Sequence, residues 1–203
     1  MAESVMYHEG NRQLQDQFDS RRISDRLEEK LMRKEFTADD KQYIESLPYF
    51  FLATADAKGR PDCSFKGGTP GFVRITGPSE IAFPDYDGNG MFKSLGNIVV
   101  NADVGLLFIA MHDKPRRLRV NGSARVSEND PLLAETVGAQ LIVRVTTRAI
   151  FPNCPRYIHK MQLVEHSVYT PRSDYTPPVP AWKTFDSFRD SLPARDRPEG
   201  NEN

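Results

Sequence analysis

The sequence predicts a mainly β, α+β protein in which an antiparallel β-barrel is preceded by helices and followed by a proline-rich tail. Apolar residues have helical spacing in the first part of the chain, and short apolar runs separated by Gly, Pro, Asp and Asn fill the middle. Six of the fifteen prolines lie from Pro171 onward, where apolar residues are few. A parallel doubly wound sheet would need a helix after almost every strand, which the middle part lacks. We expect a helical extension at 1–46, a barrel domain at 47–168 and a tail at 169–203.

The composition argues against several classes of function. The 27 basic residues nearly cancel the 28 acidic ones, so no general positive field would attract nucleic acid or an anionic membrane. The apolar run Val104–Met111 is far shorter than the ~20 residues of a membrane-spanning helix. Met1–Gly10 has neither the basic nor the apolar part of a secretion signal, which predicts a cytoplasmic protein. Cys63 and Cys154 should then be free thiols, with Cys63 buried on a strand.

The N-terminal extension should be helical, with an apolar stripe that must dock on another surface. Thr37 and Asp40 match the capping-box spacing and predict a second, short helix that ends before Pro48. The residues of the stripe recur every four or five positions: Leu14, Phe18, Ile23, Leu27 and Leu31.

The middle of the chain should form hairpin-linked strands. Tyr49–Thr54 and Pro61–Phe65 flank a turn in which Gly59 can take a positive φ. Helical spacing predicts a helix within Met91–Asn101, and a second short helix is possible at Pro131–Gly138. Further strands are predicted at Phe72–Thr76, Ile81–Phe83, Val104–Met111, Arg117–Val126 and Leu141–Phe151.

Several motifs of this region carry a family resemblance. The stretch Phe50–Arg60, FFLATADAKGR, resembles the opening hairpin of the pyridoxamine 5′-phosphate oxidase-like flavoproteins, the FMN-binding split barrels. The resemblance spans about Leu47 to Val164. The later motifs follow in the family's order: PGFVRI, IAFPDYDGNG, SLGNI, VGLLF, RLRVNGSARV and FPNCPRYIH.

This resemblance implies a six-stranded antiparallel split barrel that forms a homodimer with two FMN molecules in clefts at the subunit interface. It also implies an FMN-dependent oxidoreductase that acts on a small molecule. A flavin phosphate is a dianion, so its pocket needs donors and positive charge, which helix N-termini and lysines supply. The cofactor-binding residues implied by the resemblance are Ser64, Lys66, Gly67, Gly68, Pro84, Asp85, Asn89, Gly90, Met91, Lys93, Ser94, Asn97 and Arg117.

A departure from the family pattern and the lack of a nameable catalytic residue leave alternatives open. Relatives often carry arginines in the loop before the helix, where this chain has Met91 and Gly96. A split barrel that uses deazaflavin or haem is therefore an alternative, and so is a non-catalytic flavin-binding or flavin-reservoir protein, because no catalytic acid or base can be named. Cys154 and His159 supply only two of the four ligands of a closed zinc site, so no metal is expected.

Two further expectations concern apolar surface. The residues Val104–Met111 alternate between two faces of a strand that are both apolar, so one face needs a cover, which a partner subunit would provide. In the tail, Trp182, Phe185 and Phe188 should lie against the barrel near the cofactor cleft, because prolines reduce the entropy lost on docking and ring burial is favourable.

Overall fold

The computed structural model describes residues 4–112 and 114–197. Three helices come first: α1 (Glu9–Gln17), α2 (Arg21–Leu31) and α3 (Ala38–Ser46). The predicted stripe therefore runs over two helices, because Asp19 turns the chain between them with a φ of 47°. Among the described residues no surface buries the stripe, and all five of its side chains are exposed: Leu14, Phe18, Ile23, Leu27 and Leu31.

The predicted capping box at the start of α3 is confirmed. The Asp40 backbone N–H donates to Thr37 Oγ1 at 3.1 Å, and the Thr37 N–H donates to Asp40 Oδ2 at 2.9 Å. The Asp40 side chain is fully buried, and Arg33 Nη2 lies 2.5 Å from its carboxylate. Burial alone would raise the pKa of Asp40, but the hydrogen bonds from Arg33 and Thr37 outweigh burial and lower it.

Seven antiparallel strands form one sheet in the order β2-β1-β5-β6-β7-β4-β3. The six-stranded count implied by the resemblance needs correction, because the short edge strand β3 pairs with β4. The sheet is not closed by backbone pairing within the described residues, so β2 and β3 are its edges. The strands are β1 (Tyr49–Ala55), β2 (Pro61–Gly67), β3 (Arg74–Gly77), β4 (Glu80–Tyr86), β5 (Asp103–Ala110), β6 (Arg116–Ser127) and β7 (Ala139–Pro152).

The curled sheet encloses the core on its inner face. Phe50 lies at the centre, with ring centroids 4.9 Å from Phe83 and 5.2 Å from Phe108. The alternation along β5 is as predicted, since Val104, Leu106 and Phe108 are buried and the intervening residues are only half-buried. The fourth helix, α4 (Lys93–Val100), packs over β1 and β2.

The prediction that Cys63 is buried is wrong. Both cysteines are exposed, and neither is in a disulfide. Cys63 lies on the edge strand β2 opposite Ala53, and its side chain points to the outer face of the sheet. The residues next to Cys63 in the sequence do not cover its side chain, because β2 is paired with a strand on one side only and Cys63 faces outward.

The tail forms short 3-10 turns at Ala181–Thr184, Asp186–Ser191 and Ala194–Asp196. Its buried residues are Lys183 and Leu192. The expected docking of the aromatic residues is seen only in part: Trp182 is half-buried, whereas Phe185 and Phe188 are about half exposed. Across residues 4–112 and 114–197, no helix is both long enough and apolar enough to cross a bilayer.

Candidate functional site

A cavity of about 250 Å³ lies where the end of β2, the end of β4 and the start of α4 meet. Seven of the residues predicted for the cofactor site line it: Lys66, Asp85, Asn89, Gly90, Met91, Lys93 and Ser94. Lys93 and Ser94 are in the first turn of α4, as expected. The cavity is also lined by Tyr86, Gly88, Phe92, Leu95, Gln140 and Arg195.

The N-terminus of α4 faces this cavity without a side-chain cap. The N-cap residue is Phe92, whose phenyl ring has no acceptor for the first backbone N–H groups of the helix. Phe92 also has a φ of 45°, a left-handed conformation that costs about 1–2 kcal/mol for a residue with a Cβ. Strain of this kind is concentrated at functional sites, and the missing side-chain cap leaves the first backbone N–H groups of α4 able to donate to an anion.

Two charged side chains face each other across the cavity. Lys66 Nζ lies 3.9 Å from Asp85 Oδ1. This ion pair connects β2 to β4, two strands that are not paired with each other in the sheet. Burial raises the pKa of Asp85, although the hydrogen bond from Gln140 and the charge of Lys66 oppose it. The Gln140 amide donates to Asp85 Oδ2 at 3.1 Å and to the Tyr86 carbonyl at 3.0 Å, which fixes the carboxylate.

Ser64 and Asn97 do not line the cavity but hold α4 against the sheet. The Ser94 hydroxyl is 3.0 Å from Ser64 Oγ and 3.2 Å from Asp62 Oδ2. The buried Asn97 donates to Thr54 Oγ1 at 3.0 Å. These contacts hold α4 against both β1 and β2.

Gly67, Gly68 and Pro84 lie next to the cavity and are explained by packing. A Cβ on Gly68 would lie 2.4 Å from Phe72 Cγ, so only glycine fits beneath that ring. A Cβ on Gly67 would lie 2.8 Å from Phe65 Cε1. Pro84 is buried in β4 opposite Ile142.

Arg117 lies on β6 and is not one of the residues lining the cavity. Its Nη2 donates to the Cys154 carbonyl at 2.6 Å. Its Nε is buried and has no hydrogen-bond partner among the described residues, and the same holds for Asn153 Oδ1. A single chain therefore does not join Arg117 to the other predicted cofactor residues.

Gln140 and Arg195 were missed by the sequence reasoning. Gln140 lies at the cavity because β7 pairs with β4, and this pairing cannot be predicted from local sequence patterns. Arg195 comes from the tail, about 130 residues beyond Lys66, and its place depends on tertiary contacts. The sequence feature that could have indicated a role for Arg195 is the cluster of charged residues among the tail prolines.

The outer face of the sheet carries a second, apolar region, which we call the outer apolar surface: Tyr49, Phe51, Phe65, Ile109 and Met111. Phe65 is 62% exposed, and its ring lies 5.5 Å from that of Tyr49. Together with the segment around Met161 and Leu163 these residues line a groove of about 670 Å³. Phe65 and Lys66 are neighbours on β2, so the outer apolar surface and the cavity occupy opposite faces of the same edge strand.

Comparison with solved structures finds several similar chains. A candidate pyridoxamine 5′-phosphate oxidase from Lactobacillus delbrueckii has 22% identity and a TM-score of 0.46, covering 59% of this chain and 95% of that one. The heme-storage protein HutZ from Vibrio cholerae has 15% identity and a TM-score of 0.39, covering 59% and 92%. An FMN-binding protein from Syntrophomonas wolfei has 10% identity and a TM-score of 0.45, covering 70% and 97%.

No curated protein matches the chain. The family described as pyridoxamine 5′-phosphate oxidase matches residues 36–166, which is more than half of the chain and includes all seven strands and the whole cavity lining except Arg195. This chain therefore belongs to the pyridoxamine 5′-phosphate oxidase family.

Proposed function

We propose that this protein is a homodimeric, FMN-dependent oxidoreductase whose flavin phosphate binds in the cavity at the start of α4. The observation that carries the proposal is the convergence of Lys66, Lys93 and the uncapped N-terminus of α4 on one small cavity. Ammonium groups and helix N-terminal N–H groups are the donors that bind phosphate in proteins.

The donor set fits a phosphate monoester. Such a group carries about −1.5 to −2 charges at neutral pH. Lys66 is partly neutralised by Asp85 at 3.9 Å, while Lys93 and the helix N-terminus add positive potential. A cavity of about 250 Å³ is smaller than the ~300–1,000 Å³ of sites that enclose a whole ligand. It would hold the phosphate, and the flavin ring would extend beyond it.

A second copy of the chain would complete the site. Because Phe65 and Lys66 are neighbours on the edge strand β2, a partner packed on Phe65 and Phe51 would lie beside the strand that carries Lys66 of the cavity. An apolar surface of this kind is typical of a subunit interface. The flavin would then lie between the subunits, with a small-molecule substrate against its exposed face.

Bound FMN would supply the redox chemistry, and the chain would supply binding and orientation. Lys66 and the N–H groups of α4 hold the phosphate, Gln140 fixes Asp85 at the cavity wall, and Ser64 anchors Ser94. None of these residues is assigned a proton-transfer role.

Titration of the purified protein with FMN tests the cofactor, and turnover with a reductant and an electron acceptor tests the oxidoreductase. Binding with turnover supports the proposal. Binding without turnover under any donor would make the protein a flavin reservoir. Binding of haem or a deazaflavin in place of FMN would overturn the choice of cofactor.

A further inference from the structure

One charged residue of the cavity comes from the tail. Arg195 lines the cavity, and its Nη2 lies 2.9 Å from Asp87 Oδ1 in the loop before α4. The guanidinium has five N–H donors in a fork that suits phosphate oxygens. Its Nε also lies 3.9 Å from Asp196 Oδ2, and its side chain is 55% exposed, which leaves donors accessible to a ligand.

The tail is fastened to this loop by a buried lysine. The Lys183 side chain is only 6% exposed, and its Nζ lies 2.7 Å from Asp87 Oδ2 and 2.9 Å from Asp196 Oδ1. Burial alone would lower the pKa of Lys183, but the hydrogen bonds that Lys183 donates to both carboxylates outweigh burial and raise it. A lysine is buried only when it is paired, so this contact fixes the neighbouring Arg195 in place.

The charges at the cavity indicate how Arg195 would favour the binding of a phosphate. The charged residues of the lining are Lys66, Lys93, Arg195 and the opposing Asp85. Beside them, Lys183 and Arg195 pair with Asp87 and Asp196, so these four charges cancel and the cavity keeps one net positive charge. Without Arg195 one of these carboxylates would be left unbalanced at the cavity and would oppose the binding of a phosphate dianion.

We propose that the tail is part of the anion site, with Lys183 as the anchor and Arg195 as a phosphate-binding residue of the cofactor cavity. The inference rests on the proposed function for the identity of the ligand, FMN. It assigns a binding role to a residue outside the family match at 36–166.

The test compares FMN with riboflavin, which lacks the phosphate, on full-length R195Q and K183M. R195Q should raise the Kd of FMN by about tenfold. The effect is small because solvent weakens the interaction of a guanidinium that is half exposed. It should leave riboflavin binding unchanged. K183M should give a similar loss and also shift the emission of Trp182, the single tryptophan of the chain. The matched control is R189Q, a tail arginine whose nearest carboxylate, Asp186, is 3.9 Å away.

Equal FMN affinity in the wild type and R195Q would overturn this inference while leaving the proposed function intact. So would equal losses of FMN and riboflavin binding, since these would indicate a general disturbance. If the wild type binds no FMN, the proposed function fails, and inorganic phosphate then decides the inference. If phosphate raises the Tm of the wild type but not that of R195Q, the result supports the tail site. Any other pattern of Tm values refutes it.

Discussion

Replacing Lys66 by methionine removes an ammonium group from the cavity while keeping most of its apolar stem. The Lys66 side chain is only 20% exposed, and its nearest charged neighbour is Asp85 at 3.9 Å. If Lys66 binds the flavin phosphate, K66M loses a charge-assisted hydrogen bond, which is worth about 1.5–3 kcal/mol. The dissociation constant of FMN should rise by about 10- to 150-fold.

The opposing carboxylate predicts an effect of the opposite sign. D85N removes the one negative charge of the cavity lining, and its side-chain oxygen can still accept from the Gln140 amide. FMN should bind D85N more tightly than the wild type. Because burial raises the pKa of Asp85 above its unfolded value, its charged form costs stability, and this cost grows as pH rises through the folded pKa. D85N should therefore be no less stable than the wild type at neutral pH.

Isothermal titration with FMN and with riboflavin measures both effects. Lys58, which lies in the exposed β1–β2 turn, offers the control K58M. We expect weak FMN binding by K66M, tighter binding by D85N and wild-type binding by K58M. Unchanged FMN affinity in K66M, with the variant folded, would remove Lys66 from the phosphate site. Weaker binding by D85N would refute the charge argument.

Three further outcomes follow from contacts outside the cavity. F65K places a charge on the outer apolar surface and should convert a dimer of twice 23.0 kDa into a monomer by light scattering, whereas a wild type of 23.0 kDa would contradict the dimer. D40A should cost about 1.5–3 kcal/mol in urea unfolding at neutral pH, because it removes hydrogen bonds to a buried carboxylate and leaves the partly exposed Arg33 without its partner. Because the pKa of Asp40 is lowered by folding, its contribution is present above about pH 4 and is lost as pH falls through the folded value, so D40A should show a shallower acid decline. G122A should lower the free energy of unfolding by about 1–3 kcal/mol, because its Cβ would lie 2.2 Å from the Thr146 carbonyl oxygen. G96A, which has open space around a helical position, should raise it by about 0.5–1 kcal/mol. Equal stabilities of the two variants would refute the packing argument.

The strand pattern was predictable because its signals are local. Each predicted strand overlaps a strand of the sheet, and the capping box at Thr37 has the predicted contacts. The loop-and-helix part of the site was predictable for the same reason, since Asn89, Gly90 and Lys93 are close in sequence.

The remaining features depend on tertiary contacts. The edge position of β2 exposes Cys63, and strand order cannot be read from hydrophobic period. The break at Asp19 splits one apolar stripe over two helices. Arg195 reaches the cavity through Lys183, whose burial depends on carboxylates from two distant parts of the chain.

The central claim is that the cavity at the start of α4 binds FMN. Thermal unfolding of the purified protein with and without FMN tests it directly, because a ligand present at about 100 times its Kd stabilises the folded state by about 2.7 kcal/mol. For a chain of 203 residues this corresponds to a rise in Tm of about 5–10 °C. We expect that rise with FMN and a smaller one with riboflavin at equal concentration. An unchanged Tm with FMN, together with a rise on adding haem or a deazaflavin, would contradict it.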